Sequence, residues 1–185
     1  MAIEKAREIT EILAAASGGD REAIGRLYSL LYPELRDQAH RRVRGLGGAA
    51  VLDTTSLVHE SYLRLMQAGK IGAEDRGHFL AYAAHVMRSV VVDYIRRANA
   101  QRRGGAQLHV TLNSNIVDSV ESPADEIMRL NEFLEELATV DERLVSVVEM
   151  RYFASLDTEE IAQSLGVSSR TVTRDLEKAR LLLLA

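Results

Sequence analysis

Apolar side chains recur at three- and four-residue intervals along almost the whole chain, the spacing of a helix with one buried face. This pattern predicts a first helix from about Ile3 to Ala16, stopped by Ser17-Gly18-Gly19. Asp20 is an N-cap candidate for a second helix, which carries Ala23, Ile24, Leu27, Leu30 and Leu31. Pro33 opens a third that runs to Arg44 and ends in the loop Gly45-Leu46-Gly47-Gly48. A fourth has Leu57, Val58, Tyr62, Leu65 and Met66 on one side and stops near Gly69, and Lys70–Gly77 reads as a loop. Phe79–Arg97 then forms one long helix with two apolar stripes, Phe79, Ala83, Val86, Val90, Tyr94 and Leu80, Ala84, Met87, Val91, Ile95. Two stripes leave little of the circumference for water, so this helix is expected to be mostly covered.

Residues 106–124 break the pattern: they are polar, weakly periodic and include Ser122-Pro123. Helical spacing resumes at Asp125 and continues to the end. The expected fold class is therefore all-α. Two small helical domains, 1–105 and 125–185, are joined by a flexible linker at 106–124, each with its own core and with strand content near zero.

The sharpest local pattern is Thr158–Arg180. Thr158-Glu159-Glu160 starts a short helix with Ile161, Ala162 and Leu165 inward; Gly166 permits a sharp turn and Val167 plugs the corner. Ser168 or Ser169 caps a second helix with Val172, Leu176 and Ala179 inward. A small residue before the turn and a β-branched one after it let two helices cross closely, as in a helix-turn-helix. Its outward positions Ser169, Arg170, Thr173, Arg174 and Lys178 can donate to phosphates or base edges. Asp175 and Glu177 interrupt that face, which is unfavourable beside phosphates unless a carboxylate reads a cytosine amino group or lies off the groove.

Composition changes the picture mainly through charge. The 185 residues carry a net charge of −4, but residues 1–105 hold 16 basic and 12 acidic groups while 106–185 hold 7 and 15. Residues 76–105 have six Arg against one Asp, and residues 118–142 have nine acids against Arg129. The long helix leaves one narrow strip, His85, Arg88, Ser89, Val92 and Arg96, which runs into Arg97, Arg102 and Arg103. A basic strip beside a helix-turn-helix points to nucleic acid, and the alternative is a solvated helix end that complements the macrodipole.

Other classes are weaker. With no Cys, disulfides, thiolate metal sites and cysteine nucleophiles are excluded. There is no His-x-x-x-His or Glu-x-x-His pair, and Gly45–Gly48 lacks the Lys-Ser/Thr of a phosphate loop, so neither a cofactor nor an enzyme activity is expected. No apolar run approaches the length of a membrane span and no signal core opens the chain, so the expectation is a cytoplasmic protein without membrane insertion.

Leu57-Val58-His59-Glu60-Ser61-Tyr62-Leu63-Arg64-Leu65, His78-Phe79, Met87-Arg88, Asp93-Tyr94-Ile95-Arg96-Arg97 and Arg102-Arg103-Gly104-Gly105 resemble domain two of an extracytoplasmic-function (ECF) sigma factor. Asp141-Glu142-Arg143, Arg151-Tyr152-Phe153, Glu159-Glu160-Ile161-Ala162 and Gly166-Val167-Ser168 resemble domain four of the same family, in the expected order. The resemblance implies a promoter-specificity subunit of bacterial RNA polymerase, with core polymerase and promoter DNA as partners and an anti-sigma factor as a further candidate. It implies that Leu57, Val58, His59, Glu60, Leu63 and Arg64 dock on the polymerase clamp helices. It assigns the −10 element to His85, Arg88, Ser89, Arg96, Arg97, Arg102 and Arg103, with the loop after Lys70. It assigns the −35 element to Ser168, Ser169, Arg170, Thr171, Thr173, Arg174 and Lys178. Ser89 stands where relatives often have Asn, and Thr173 and Glu177 stand where basic or aromatic residues are common. The alternative reading is a stand-alone helix-turn-helix transcriptional regulator, which would need a symmetric dimer and leaves the basic strip unexplained.

Overall fold

The computed structural model describes residues 2–45, 52–69, 71–104 and 123–184, and these residues are helical with short connections and no strand. The helices are α1 (Ala2–Ser17), α2 (Arg21–Leu30), α3 (Tyr32–Gly45), α4 (Thr54–Ala68), α5 (Arg76–Gly104), α6 (Pro123–Val140), α7 (Glu142–Val148), α8 (Thr158–Leu165) and α9 (Ser169–Leu183). A π-helical segment, Glu149–Phe153, continues α7. The all-α expectation is met, with differences at element ends. Arg76 and Gly77 already belong to α5, which is longer at both ends than Phe79–Arg97. Of the expected loop after Gly45, only Gly45 falls within the described residues; of the expected linker 106–124, residues 106–122 lie outside them, and Pro123 and Ala124 already belong to α6, since proline suits a first helical turn.

Local chemistry accounts for most boundaries. Asp20 accepts from the backbone N–H of Glu22 and Ala23, as its N-cap role requires. Asp53 does the same for Thr55 and Ser56 at the start of α4, and Gly69 ends that helix at φ +72°, a conformation that favours glycine. Ser17 Oγ donates to the Ile71 carbonyl at 2.7 Å, tying the end of α1 to the loop that leads into α5.

The centre of the molecule is α5. Phe79, Leu80, Ala83, Ala84, Met87 and Val91 are all buried, as the two apolar stripes predict. Helices α1, α3, α4, α6 and α8 and the π-helical segment all pack on α5.

Two separate cores were expected, and here the structure differs. Val147, Met150, Ala154, Leu156, Ile161, Ala162 and Val172 join one buried cluster that begins at Ile9. A smaller cluster, Leu134, Leu137, Leu144, Val148 and Ala179, lies on the far side of α7. Helix α7 with its π-helical continuation is thus apolar on opposite sides, which is why Val147, Val148, Glu149 and Met150 are buried consecutively. A unit of about 60 residues buries alone only about 60% of the surface its unfolded chain exposes, less than a larger domain does. The π-helical continuation of α7, rather than α7 itself, is the part that packs on α5.

Candidate nucleic-acid interface

The unit Thr158–Arg180 folds as two helices around a tight turn. Asp157 accepts from the Glu160 N–H while Glu160 accepts from the Asp157 N–H, a complete capping box. Gly166 adopts φ +63° and closes α8, and the Val167 N–H reaches back to the Ala162 carbonyl at 3.0 Å. Ser168 caps α9 through the Thr171 N–H. Val172 and Ala179 are buried and Leu176 is half-buried, so the inward register is as read from the sequence. On the outer side Arg170, Thr173, Arg174, Glu177 and Lys178 are exposed and Ser169 is half-exposed. Lys178 Nζ lies 3.3 Å from Asp141, and Thr173 Oγ1 donates to the Ser169 carbonyl, so neither is idle. Asp175 is not on this face: it is buried, and Arg143 Nε meets it at 2.9 Å. Only Glu177 interrupts the exposed basic surface.

Helix α4 is divided. Leu57, Val58, Ser61 and Leu65 are buried in the core, and Tyr62 leans on Tyr28 with ring centroids 4.8 Å apart. The Tyr28 hydroxyl donates to the Val58 carbonyl, and its burial, with the charges of Tyr32 and Tyr62 adding, raises its pKa. His59, Glu60 and Leu63 face water. Leu63 is 40% exposed, large for a leucine one turn from the core. Arg64 is half-buried; it meets Asp93 at 2.8 Å and donates to Ser89 Oγ at 2.9 Å. Leu57 and Val58, expected in the docking set, have no free surface for a partner.

The strip on α5 is not continuous. His85, Arg96 and Arg97 are exposed, but Arg88 and Val92 are buried and Ser89 is half-buried. Residues of the second half cover its middle. Arg88 donates to Asn131 Oδ1 at 2.8 Å and to Glu149 Oε1 at 2.8 Å, and the Arg88–Glu149 side chains are each only 10% exposed. His85 Nδ1 lies 3.1 Å from the same Glu149 oxygen. Beside them Arg42 is held by the carbonyls of Gln38, Ala84 and Phe153 and lies under the Phe153 ring, with no carboxylate in ion-pair range among the described residues. Burial, then the neighbouring charge of Arg41, pushes its guanidinium down to about 9, still cationic at neutral pH. At the N-terminal end of α5, Arg76 bridges Glu34 and Glu160, and Ser164 Oγ donates to Asp75 at 3.0 Å.

A family model described as ECF sigma factor matches residues 6–184, nearly the whole chain. The protein belongs to the ECF sigma factor family. No curated protein matches it significantly. As a member of that family the sigma factor serves transcription initiation, with RNA polymerase and promoter DNA as the family's partners. Among its described residues, no helix is long and apolar enough to cross a membrane.

The structure of this sigma factor brings some expected site residues together and separates others. Ser168, Ser169, Arg170, Thr171, Thr173, Arg174 and Lys178 all lie on the turn and outer side of α9, with Thr171 half-buried and bonded to Ser168. Arg64 meets Ser89 between α4 and α5, while Arg88 is held by the second half with His85 beside it, so the structure does not gather Arg64, Ser89 and Arg88 at one point. Arg102 and Arg103 lie in the last turns of α5, and their side chains are outside the described residues. Sequence reasoning missed Glu149, Asn131 and Arg42. A signal existed for Glu149, a lone acid inside the run Leu144–Met150, because a charge amid buried positions demands a partner.

Proposed function

We propose that this sigma factor binds core RNA polymerase through the exposed side of α4 and directs initiation at promoters with defined −10 and −35 elements. In this reading residues 1–105 serve the polymerase and the −10 element, and residues 125–185 serve the −35 element. The observation that carries it is the division of α4: a fully buried Leu57–Leu65 face beside an exposed His59, Glu60 and Leu63 patch. An apolar side chain ringed by polar ones fits a partner helix pair.

The outer side of α9, with Arg170, Arg174 and Thr173, supports contact with phosphates and base edges in the major groove. On α5, Phe79 is fully buried and Tyr82 and Tyr94 are half-buried, so little aromatic surface is available for stacking a displaced base. Strand capture then rests on polar groups near Arg88 and Ser89 and on the phosphate contacts of Arg96 and Arg97. Residues 125–185 hold seven basic and thirteen acidic groups, so the free chain should bind duplex weakly and gain contacts when polymerase holds it over DNA.

The deciding experiment adds the protein to bacterial core polymerase and measures specific promoter transcription. Initiation from a selected promoter supports the proposal. Tight, sequence-specific duplex binding by the chain alone as a symmetric dimer, with no initiation, would favour a stand-alone regulator.

A further inference from the structure

We infer that the cavity between α3, α5, α6 and the π-helical segment is a binding site for a small organic carboxylate with an apolar body. Its carboxylate would meet the guanidinium of Arg42, and its body would lie against Ile127, Leu130 and Phe153. The inference does not depend on the promoter-binding reading above. The cavity measures about 330 Å³, within the range of small-molecule sites, about 300–1,000 Å³. Arg41 and Tyr152 line it and are exposed, so it opens to solvent. Packed interiors leave few voids larger than a water molecule, and a space of this size between helices has room for a guest.

The lining combines two kinds of chemistry. Arg41, Arg42 and Arg88 supply positive charge, against Glu126 as the one acidic lining residue, which is exposed. Val91, Ile127, Leu130 and Phe153 supply apolar surface. Arg42 is the unusual member. It donates to the carbonyls of Gln38, Ala84 and Phe153 and to the Met87 sulfur, all neutral acceptors. A cation taken out of water is ordinarily paired, because carbonyl dipoles repay only part of its lost hydration. Glu149, whose charge is felt at Arg42, is already bonded to Arg88 and in contact with His85. Burial, then Arg41, with Arg88 adding, holds the Arg42 guanidinium down at about 9, and Glu149 offsets them only in part. The same causes that disfavour this cation favour an anion beside it.

Three lining side chains also carry a buried polar atom with no partner among the described residues. Two are donors, Arg42 Nε and Arg88 Nε, and one is an acceptor, Gln38 Oε1. Arg88 is only 9% exposed, so its Nε–H has little access to water. Unspent N–H groups on guanidinium cations suit a carboxylate, which accepts from several donors at once. Gln38 Oε1 suits a hydroxyl on the same ligand. A phosphate or sulfate would satisfy the donors and leave the apolar part of the lining against water. The apolar body is therefore what separates this ligand class from a bare anion.

The test titrates the full chain with para-coumarate, a flat hydroxy acid, followed by calorimetry and by methyl NMR. The inference expects one site per chain with a dissociation constant of about 1 mM or tighter. Shifts should concentrate at the methyl groups of Val91, Ile127 and Leu130, and near saturation the melting temperature should rise by about 3 °C or more. The neutral amide of the same acid should bind about tenfold more weakly, and sodium sulfate should not displace the acid. Arg42→Met removes the charge at similar length and should weaken the acid about tenfold while leaving the amide unchanged. Ile127→Trp fills the space and should abolish binding of both with helix content intact, which keeps the test decisive even where Arg42→Met fails to fold. Equal affinity for acid and amide, displacement by sulfate, or methyl shifts away from the cavity would each overturn the inference. So would the absence of heat and of methyl shifts at about 10 mM acid.

Discussion

Truncating Leu57 to Ala should destabilise the protein without touching a polymerase contact, while changing its exposed neighbours on α4 should do the reverse. Leu57 is fully buried, and α4 is packed against α2, α3 and α5. A leucine-to-alanine change in a core costs about 2–5 kcal/mol, and a site walled on three sides collapses little, which favours the upper half of that range. For a chain of 185 residues, at about 2–4 °C per kcal/mol, the melting temperature should fall by roughly 7–20 °C. His59→Ala and Glu60→Ala alter exposed positions and should stay within about 0.5 kcal/mol of the parent. Leu63→Ala should cost about 1 kcal/mol, since much of that side chain already meets water. The triple variant at His59, Glu60 and Leu63 should bind core polymerase at least about tenfold more weakly, a loss of roughly 1.4 kcal/mol. Arg64 is left unchanged because its bonds to Asp93 and Ser89 tie α4 to α5. The assays are thermal melting followed by circular dichroism, and titration of labelled protein with core polymerase. Wild-type polymerase affinity in the triple variant, at wild-type stability, would refute the docking assignment. A Leu57→Ala protein that melts with the parent would refute the packing argument.

Three further outcomes are expected. Asp157→Ala removes one arm of the capping box on α8 and should lower stability by about 0.5–2 kcal/mol in a denaturant titration, with Asp157→Asn losing much less. Arg143→Ala strands the buried carboxylate of Asp175 and should cost about 1–3 kcal/mol, less than a wholly enclosed pair because Arg143 is partly in water; Arg174→Ala should instead leave melting unchanged and weaken −35 duplex binding, which separates the inner and outer sides of α9 in one comparison. The Ser56 hydroxyl, then the N–H groups of Ser56 and Thr55, hold the Asp53 carboxyl below the usual carboxylate range, so its capping contribution is present above the unfolded value near 3.9 and is lost as pH falls through the lower folded value. Melting temperatures measured from pH 6 downward should therefore fall less steeply for Asp53→Asn, which caps without titrating.

What the sequence determined by itself was the local part of the structure. The caps at Asp20 and Ser168, the αL turn at Gly166 and the inward register of Val172 and Ala179 depend on residues a few positions apart, so chain order alone specifies them. The near-complete burial of α5 was legible for the same reason, because two apolar stripes on one helix leave no other outcome. What covers the remaining strip was decided only by tertiary structure. Arg88 reads as an exposed cation from its helix position, and becomes a buried one because Glu149 and Asn131, 61 and 43 residues away, close over it. Asp175 reads as a charge on the DNA side and turns inward because Arg143, 32 residues earlier, is there to receive it. Helical periodicity says which side of a helix avoids water and is silent on which helix provides the shelter. α7 with its π-helical continuation is apolar on opposite sides, and the continuation found α5. That choice drew part of the expected second core into the first and left a smaller cluster on the far side of α7, and it follows from surface area: a small helical unit exposes apolar surface that a larger neighbour can bury.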